Sequence, residues 1–280
     1  MLHTRIAIAA ATALTLSTVA HATVTTLPDS ALTPSTSYYT NNLGTDTLAP
    51  NDDESTGQIN LGFNFTLYGA TYDSLYINNN GNVTFLSPLS QFTPSGPTGV
   101  SVPVISPYFA DVDTNGTGSV HYRLESDALY VTWDQVGYFG AHTDKVDSFQ
   151  LVLRANGSTV PTGEGQIGFF YKDMGWTTGD ASGGSGGFGG SPAAVGFGDG
   201  GGNAQVLASS QADDINQVVA NSHIWFNVGN GGVVVVPPTS PVPEPETWAL
   251  MGMGMVGLIG AAARKRRSGK PAMPDQLAAA

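Results

Sequence analysis

The run Ile59-Asn60-Leu61-Gly62-Phe63-Asn64-Phe65-Thr66-Leu67 decides the fold. Its odd-numbered residues are all apolar and its even-numbered ones small or polar. A period of two puts every apolar side chain on one face of an extended chain, which is a half-buried strand. The alternation recurs downstream. Leu75 and Ile77 start another strand, and Val83 and Phe85 return after Asn78-Asn79-Asn80-Gly81. Those four residues turn the chain because Asn and Gly tolerate positive φ. Val120, Tyr122 and Leu124 run into Glu125-Ser126-Asp127, and Leu129, Val131 and Trp133 come back. Phe149, Leu151 and Leu153 form a further strand, as do Ile167, Phe169 and Tyr171. Ala193, Val195 and Phe197, then Ile224, Phe226 and Val228, complete the pattern.

No helical period of comparable strength occurs between residues 23 and 232. Short strands separated by Gly, Asn and Ser turns predict an all-β, antiparallel, β-sandwich-like single domain over residues 57–228. No unit repeats at a fixed period of roughly 20–50 residues, which argues against a solenoid or propeller. Residues 23–56 read as an extended N-terminal segment. Residues 175–192 hold eight glycines and read as a mobile surface loop. Residues 229–246 form a Pro-rich linker with five prolines, in which the valines at 233–236 could add an edge strand.

Composition narrows the function. The 280 residues contain no cysteine, so disulfides, thiolate metal sites and a cysteine nucleophile are excluded. Between residues 23 and 242 there are 19 acidic residues and 4 basic ones, a net charge of −15. Such a body repels phosphate backbones, and no nucleic-acid partner is expected.

The two ends read as addresses. His3 and Arg5 precede an apolar run at residues 6–19, and Ala20-His21-Ala22 supplies a small-x-small cleavage site. Residues 1–22 therefore form a secretory signal helix. At the other end Pro243-Glu244-Pro245 precedes 17 uncharged residues, 247–263, and then Arg264-Lys265-Arg266-Arg267. Seventeen helical residues span about 25 Å, short but enough for a transmembrane helix. The basic cluster stops transfer and leaves residues 264–280 as a cytoplasmic tail.

This tripartite tail resembles the PEP-CTERM sorting signal of Gram-negative bacteria. The resemblance implies an exosortase partner, a membrane enzyme that cleaves near Pro-Glu-Pro and releases or re-anchors its substrate. It also implies a producer of exopolysaccharide or biofilm. The tail departs from the family pattern in continuing from Ser268 to Ala280.

The middle resembles a nidogen-type extracellular domain. Carrying residues are Phe63-Asn64-Phe65, Tyr68-Gly69, Leu75-Tyr76-Ile77-Asn78 and Asn80-Gly81-Asn82-Val83-Thr84-Phe85. Ile105-Ser106-Pro107-Tyr108-Phe109-Ala110-Asp111-Val112-Asp113-Thr114, Trp133, Phe149-Gln150-Leu151-Val152-Leu153 and Ala194-Val195-Gly196-Phe197 follow in order. The resemblance implies adhesion or a matrix role without catalysis. An extracellular polysaccharide or matrix protein is then the expected partner.

Asp111-Val112-Asp113-Thr114-Asn115-Gly116 matches the first half of a D-x-D-x-N-G calcium loop, with Asp111, Asp113 and Asn115 as candidate ligands. Tyr122 stands where such a loop needs a bidentate Glu. The favoured reading is that Asp111 and Asp113 accept backbone donors in a tight loop, and no resident cofactor is expected. Asn51-Asp52-Asp53-Glu54 reads as a solvated loop. Gly183-Gly184-Ser185-Gly186-Gly187 matches G-x-S-x-G but lacks the flanking strand and helix of a nucleophile elbow. His121, His142 and His223 show no metal-type spacing. The sequence thus predicts a non-enzymatic, exported protein. It would pass through a single-pass inner-membrane intermediate to the cell surface or matrix. A secreted carbohydrate-active enzyme and a calcium-dependent lectin-like binder are the alternatives.

Overall fold

The computed structural model describes residues 22–229 and 231–238. Of the predicted signal segment only Ala22 falls among them. Ala20, the Pro243-Glu244-Pro245 motif, the apolar span and the Arg264–Arg267 cluster lie outside. Among the described residues no helix is long and apolar enough to cross a membrane.

The chain begins with three short strands, β1 (Val24–Leu27), β2 (Thr33–Pro34) and β3 (Asp46–Leu48). Next come β4 (Ile59–Leu67), β5 (Ala70–Asn78), β6 (Asn82–Thr84), β7 (Pro103–Phe109) and β8 (Val112–Asp113). Then β9 (Ser119–Leu124), β10 (Ala128–Tyr138), β11 (Asp147–Arg154), β12 (Ile167–Met174), β13 (Ala194–Asp199) and β14 (Ala204–Leu207) follow. A five-residue helix α1 (Ile215–Val219) precedes β15 (Ser222–Gly229) and β16 (Gly232–Val235). One sheet has the order β1-β14-β13-β7-β6-β5-β4. The other runs β16-β15-β12-β11-β10-β9-β3, with β2 beside β15 and β8 beside β10. Every pairing is antiparallel except β1 with β14, which is parallel.

Both sheets contribute to one apolar core. Phe197 of β13 stacks on Phe169 of β12 at 5.2 Å and meets Phe226 of β15 edge-on at 4.9 Å. Tyr108 of β7 lies 5.5 Å from Phe149 of β11. Each such ring, wholly buried, adds about 1.5–3 kcal/mol. Leu61, Phe65 and Leu67 of the opening run are buried, whereas Asn60, Gly62 and Asn64 stay open to solvent or nearly so. The alternation therefore points inward as the sequence predicts.

Three regions differ from that reading. Residues 23–56 are extended, and their strands join both sheets. Tyr39 stacks on Tyr130 at 6.2 Å and meets Trp225 edge-on at 5.4 Å, covering an outer apolar face of the second sheet. The glycine-rich 175–192 segment is not simply a surface loop. Trp176, Thr177, Thr178 and Ser182 are buried, and Trp176 Nε1 donates to the Val136 carbonyl at 3.1 Å. Finally, β10 carries a bulge between Trp133 and Val136, where Gln135 takes a φ of 53°. The extra residue re-aims the strand so that Gly137 and Tyr138 pair with Asp113 and Val112 of β8.

Candidate functional site

Asn78, Asn79, Asn80 and Asn82 are all essentially inaccessible, so the predicted turn is a buried polar frame. Gly81 at its tip has a φ of 74°, and a Cβ there would lie 1.8 Å from the Tyr108 carbonyl oxygen. Only glycine fits this approach of the β5–β6 hairpin to β7. Asn79 Nδ2 donates to the Val112 carbonyl at 2.6 Å and to the Asn51 carbonyl at 3.2 Å. Trp133 Nε1 donates to the Asn79 carbonyl at 2.9 Å. Asn80 Oδ1 accepts from the Val112 amide at 2.8 Å, and its Nδ2 donates to Asp53 Oδ1 at 2.7 Å. Two asparagines thereby fasten the 51–54 loop to the 111–114 loop. Thr114 completes the clasp, since its hydroxyl and its amide both donate to the Asn51 carbonyl at 3.0 Å.

The clasp brings three carboxylates together. One oxygen each of Asp52, Asp53 and Asp111 lies within 4.8 Å of the others. Like charges at such a distance repel by about 3 kcal/mol at an effective dielectric of about 20. Burial, with Asp53 and Asp52 close by, pushes the Asp111 carboxyl up to about 7; the Ser182 hydroxyl offsets this only in part. Burial first, then Asp53 and Asp113, pushes Asp52 up to about 6. Asp53 is raised by burial and by Asp113, against the hydrogen bond from Asn80. Asp111 is wholly inaccessible, and its Oδ1 accepts no hydrogen bond; the same holds for the buried Oδ1 of Asp52. Asp111 Oδ2 faces the glycine-rich segment, where Ser182 Oγ lies 3.4 Å away and a Cβ on Gly179 would sit at 2.4 Å. A cleft of about 370 Å³, lined by Asp53, Glu54, Ser55, Thr56, Pro88 and Ser90, opens beside Asp53.

The candidates of the D-x-D-x-N-G string part company here. Asp113 Oδ1 accepts from the amide and the side chain of Asn115, both at 2.9 Å, and Oδ2 accepts from the Ala141 amide at 2.8 Å. Both of its oxygens are used in closing the loop. Asn115 is turned onto Asp113. Only Asp111 joins the acidic cluster, and its neighbours come from the loop read as solvated. The sequence signal for that cluster was Asn51-Asp52-Asp53-Glu54, but its contact with Asp111 depends on a pairing some 60 residues away.

Other candidates lie apart. Ser185 is exposed in a tight turn whose amide donates to the Phe188 carbonyl at 2.8 Å, preceded by a single 3-10 turn and not by a strand. His142 stacks on Tyr138 at 4.4 Å with Nε2 3.5 Å from Asp180. His121 Nε2 bonds Ser119 at 2.6 Å, and His223 stacks on Phe170 at 5.1 Å. None of the three belongs to the cluster of possible metal ligands found among the described residues. A second cleft of about 390 Å³ lies where Tyr68, Asp199 and Gln205 meet. Its carboxylate, Asp199, already accepts from Gly201 and Asn203 amides.

With the fold and this constellation in view, the class is that of the NIDO-related domain, whose family model matches residues 30–235. The chain belongs to that family. A second model, the PEP-CTERM protein-sorting motif, matches residues 241–267, and such a motif implies processing by an exosortase. The chain is 35% identical to mouse alpha-tectorin over 182 residues, 54% of this chain and 8% of that protein. It is 29% identical to chicken alpha-tectorin over 211 residues, covering 64% and 10% of the two chains. Drosophila nidogen is 28% identical over 171 residues, 50% of this chain and 12% of that one. The chain thus spans about a tenth of the length of these relatives. No solved structure matches it. The two family matches together mark an exported protein of the cell surface or extracellular space.

Proposed function

We propose that this is a non-enzymatic binding module of the extracellular matrix or cell surface, active in adhesion or in a biofilm polysaccharide matrix. One observation carries the reading: a NIDO-related domain over residues 30–235 is joined to a sorting motif at 241–267 with five residues between them. An export address on a domain of this family supports a role outside the cell. The protein passes through the inner membrane as a single-pass intermediate and is handed by an exosortase to the surface or matrix. Its ligand is an extracellular polysaccharide or a matrix protein.

A glycosidase would place two carboxyl groups on either side of an open sugar-binding cleft. Asp111 is inaccessible behind Gly179 and Ser182, so the one carboxylate cluster found among the described residues does not favour that alternative.

Replacing Pro243, Glu244 and Pro245 by alanine tests the sorting half. In an exosortase-positive host the variant is expected to be exported yet to stay in the inner membrane with its body in the periplasm. The parent reaches the surface or matrix fraction. Identical size and distribution of the two would leave a plain single-pass anchor. The binding half is tested by a screen against neutral and acidic polysaccharides and matrix proteins. Absence of any ligand-dependent retention would remove it.

A further inference from the structure

Two buried carboxylate oxygens in one cluster accept no hydrogen bond, although nearly every other polar group around them is paired. Asp111 Oδ1 and Asp52 Oδ1 are both out of reach of solvent. The neighbouring amides are already committed. Asn80 gives its side-chain donors to Asp53 and to the Gln91 carbonyl, and Asn79 gives its own to Val112 and Asn51. A native fold leaves few such acceptors empty, and two in one carboxylate cluster beside a cleft call for an ion or water. An anion is excluded by the charge of the three acids, and among the described residues no cationic side chain pairs with Asp52, Asp53 or Asp111.

We propose that Asp52, Asp53 and Asp111 bind one calcium ion, held in place by the Asn51, Asn79 and Asn80 amide frame. The donor set is all oxygen, which selects a hard cation. Calcium–oxygen distances of about 2.3–2.6 Å put ligands on opposite sides of the ion about 4.6–5.2 Å apart; magnesium draws them to about 4.2 Å or less. Three carboxylate oxygens within 4.8 Å of one another lie inside the span that calcium allows. Magnesium also holds its water more tightly, which suits an open site better than one whose deepest ligand is sealed. Water from the cleft beside Asp53 completes the coordination shell.

The site differs from the D-x-D-x-N-G loop in its ligands: it keeps Asp111 and takes Asp52 and Asp53 in place of Asp113 and Asn115. It joins two loops distant in sequence, so an ion there would cross-link the 51–54 segment to β7 and β8. Binding is therefore coupled to the stability of the whole domain.

The test uses the full-length chain, purified in detergent and stripped with chelator. Equilibrium dialysis with radioactive calcium is expected to give one ion per chain, and calcium at a hundredfold excess over its Kd to raise the melting temperature by about 5–10 °C. Magnesium at the same concentration is expected to give a clearly smaller rise. Asp111→Asn and Asp52→Asn each remove the bound ion and the rise. If Asp111→Asn fails to fold, Asp52→Asn, at a partly exposed position, decides the matter. No stoichiometric calcium at 5 mM in the parent overturns the proposal, as does calcium retained equally by the variants. An equal response to magnesium overturns the assignment to calcium.

Discussion

Asp147 opens β11 fully buried, accepting from the Gly175 amide at 2.7 Å and the Trp176 amide at 3.2 Å through Oδ1, while Oδ2 accepts nothing. Burial holds its carboxyl well above the ordinary value of 3.8, in spite of those two donors. The folded chain then binds this proton more tightly than the unfolded one. Its stabilisation is fully present below pH 3.8 and is lost as pH rises through the folded value. Asp147→Asn keeps the acceptor and removes the titration. Parent and variant, unfolded in urea from pH 4 to 9, are expected to diverge with rising pH, the parent losing stability relative to the variant. Parallel curves would mean that the carboxyl is not held protonated. Asn79 is a second test of a buried polar group. Asn79→Ala strands the Val112 carbonyl and is expected to cost about 2–3 kcal/mol, lowering the melting temperature by about 5–10 °C. A loss under about 0.5 kcal/mol would show that water replaces the amide. The sequence shows Asn78-Asn79-Asn80-Gly81 as a turn, and a turn it is. Its burial was not legible, because the side chains that cover it come from the 51–54 and 111–114 loops.

Alternation reveals strands whose two faces differ in polarity. β4 and β9 keep an open face, and β11, though buried throughout, sets Phe149, Leu151 and Leu153 against Ser148, Gln150 and Arg154. β7 (Pro103–Phe109) escapes alternation because both of its faces are apolar, Ile105 and Tyr108 packing in the main core and Val104 and Phe109 on the other side. Its prolines also read against a strand. Pro103 stands at the first position, and Pro107 falls where the pairing with β13 shifts between Ala194 and Gly196. Those are the two places in a sheet interior where a missing N–H is tolerated. The short strands β1, β2 and β3 are equally silent, since their partners β14, β15 and β9 are remote in sequence. Their packing predicts a cost for their loss. Deleting residues 22–48 removes three strands and the Tyr39 ring from Tyr130, Phe170 and Trp225. The truncated chain is expected to bind an apolar dye and to unfold without a cooperative transition. A sharp transition at the parent's melting temperature would show that the segment is an ornament on a complete sandwich.

The body's charge sets its partners at long range. Among the described residues 19 carboxylates face four cations, and each cation is already spoken for. Arg123 pairs with Glu125 and Arg154 with Glu164; Lys145 lies 2.5 Å from Asp144, and Lys172 3.4 Å from Asp173. Arg154 is also stacked over Trp225 at 4.5 Å and Arg123 over Tyr130 at 4.2 Å, so neither guanidinium is free to gather acidic polymers. Repulsion from a net charge of −15 reaches about 30 Å at 0.01 M salt and about 8 Å at 0.15 M. A neutral polysaccharide does not feel it. An acidic one does, unless a divalent cation bridges the two surfaces. In chelator, retention on an acidic polysaccharide such as alginate is therefore expected to be absent at 0.01 M sodium chloride and no stronger than weak at 0.15 M. Retention on a neutral glucan, where it occurs, is expected not to change with salt. Binding to the acidic polymer that tightens as salt is lowered, with chelator present, would require an unpaired basic surface. The charge argument would then fail for this domain, and an acidic matrix polymer would become its direct ligand.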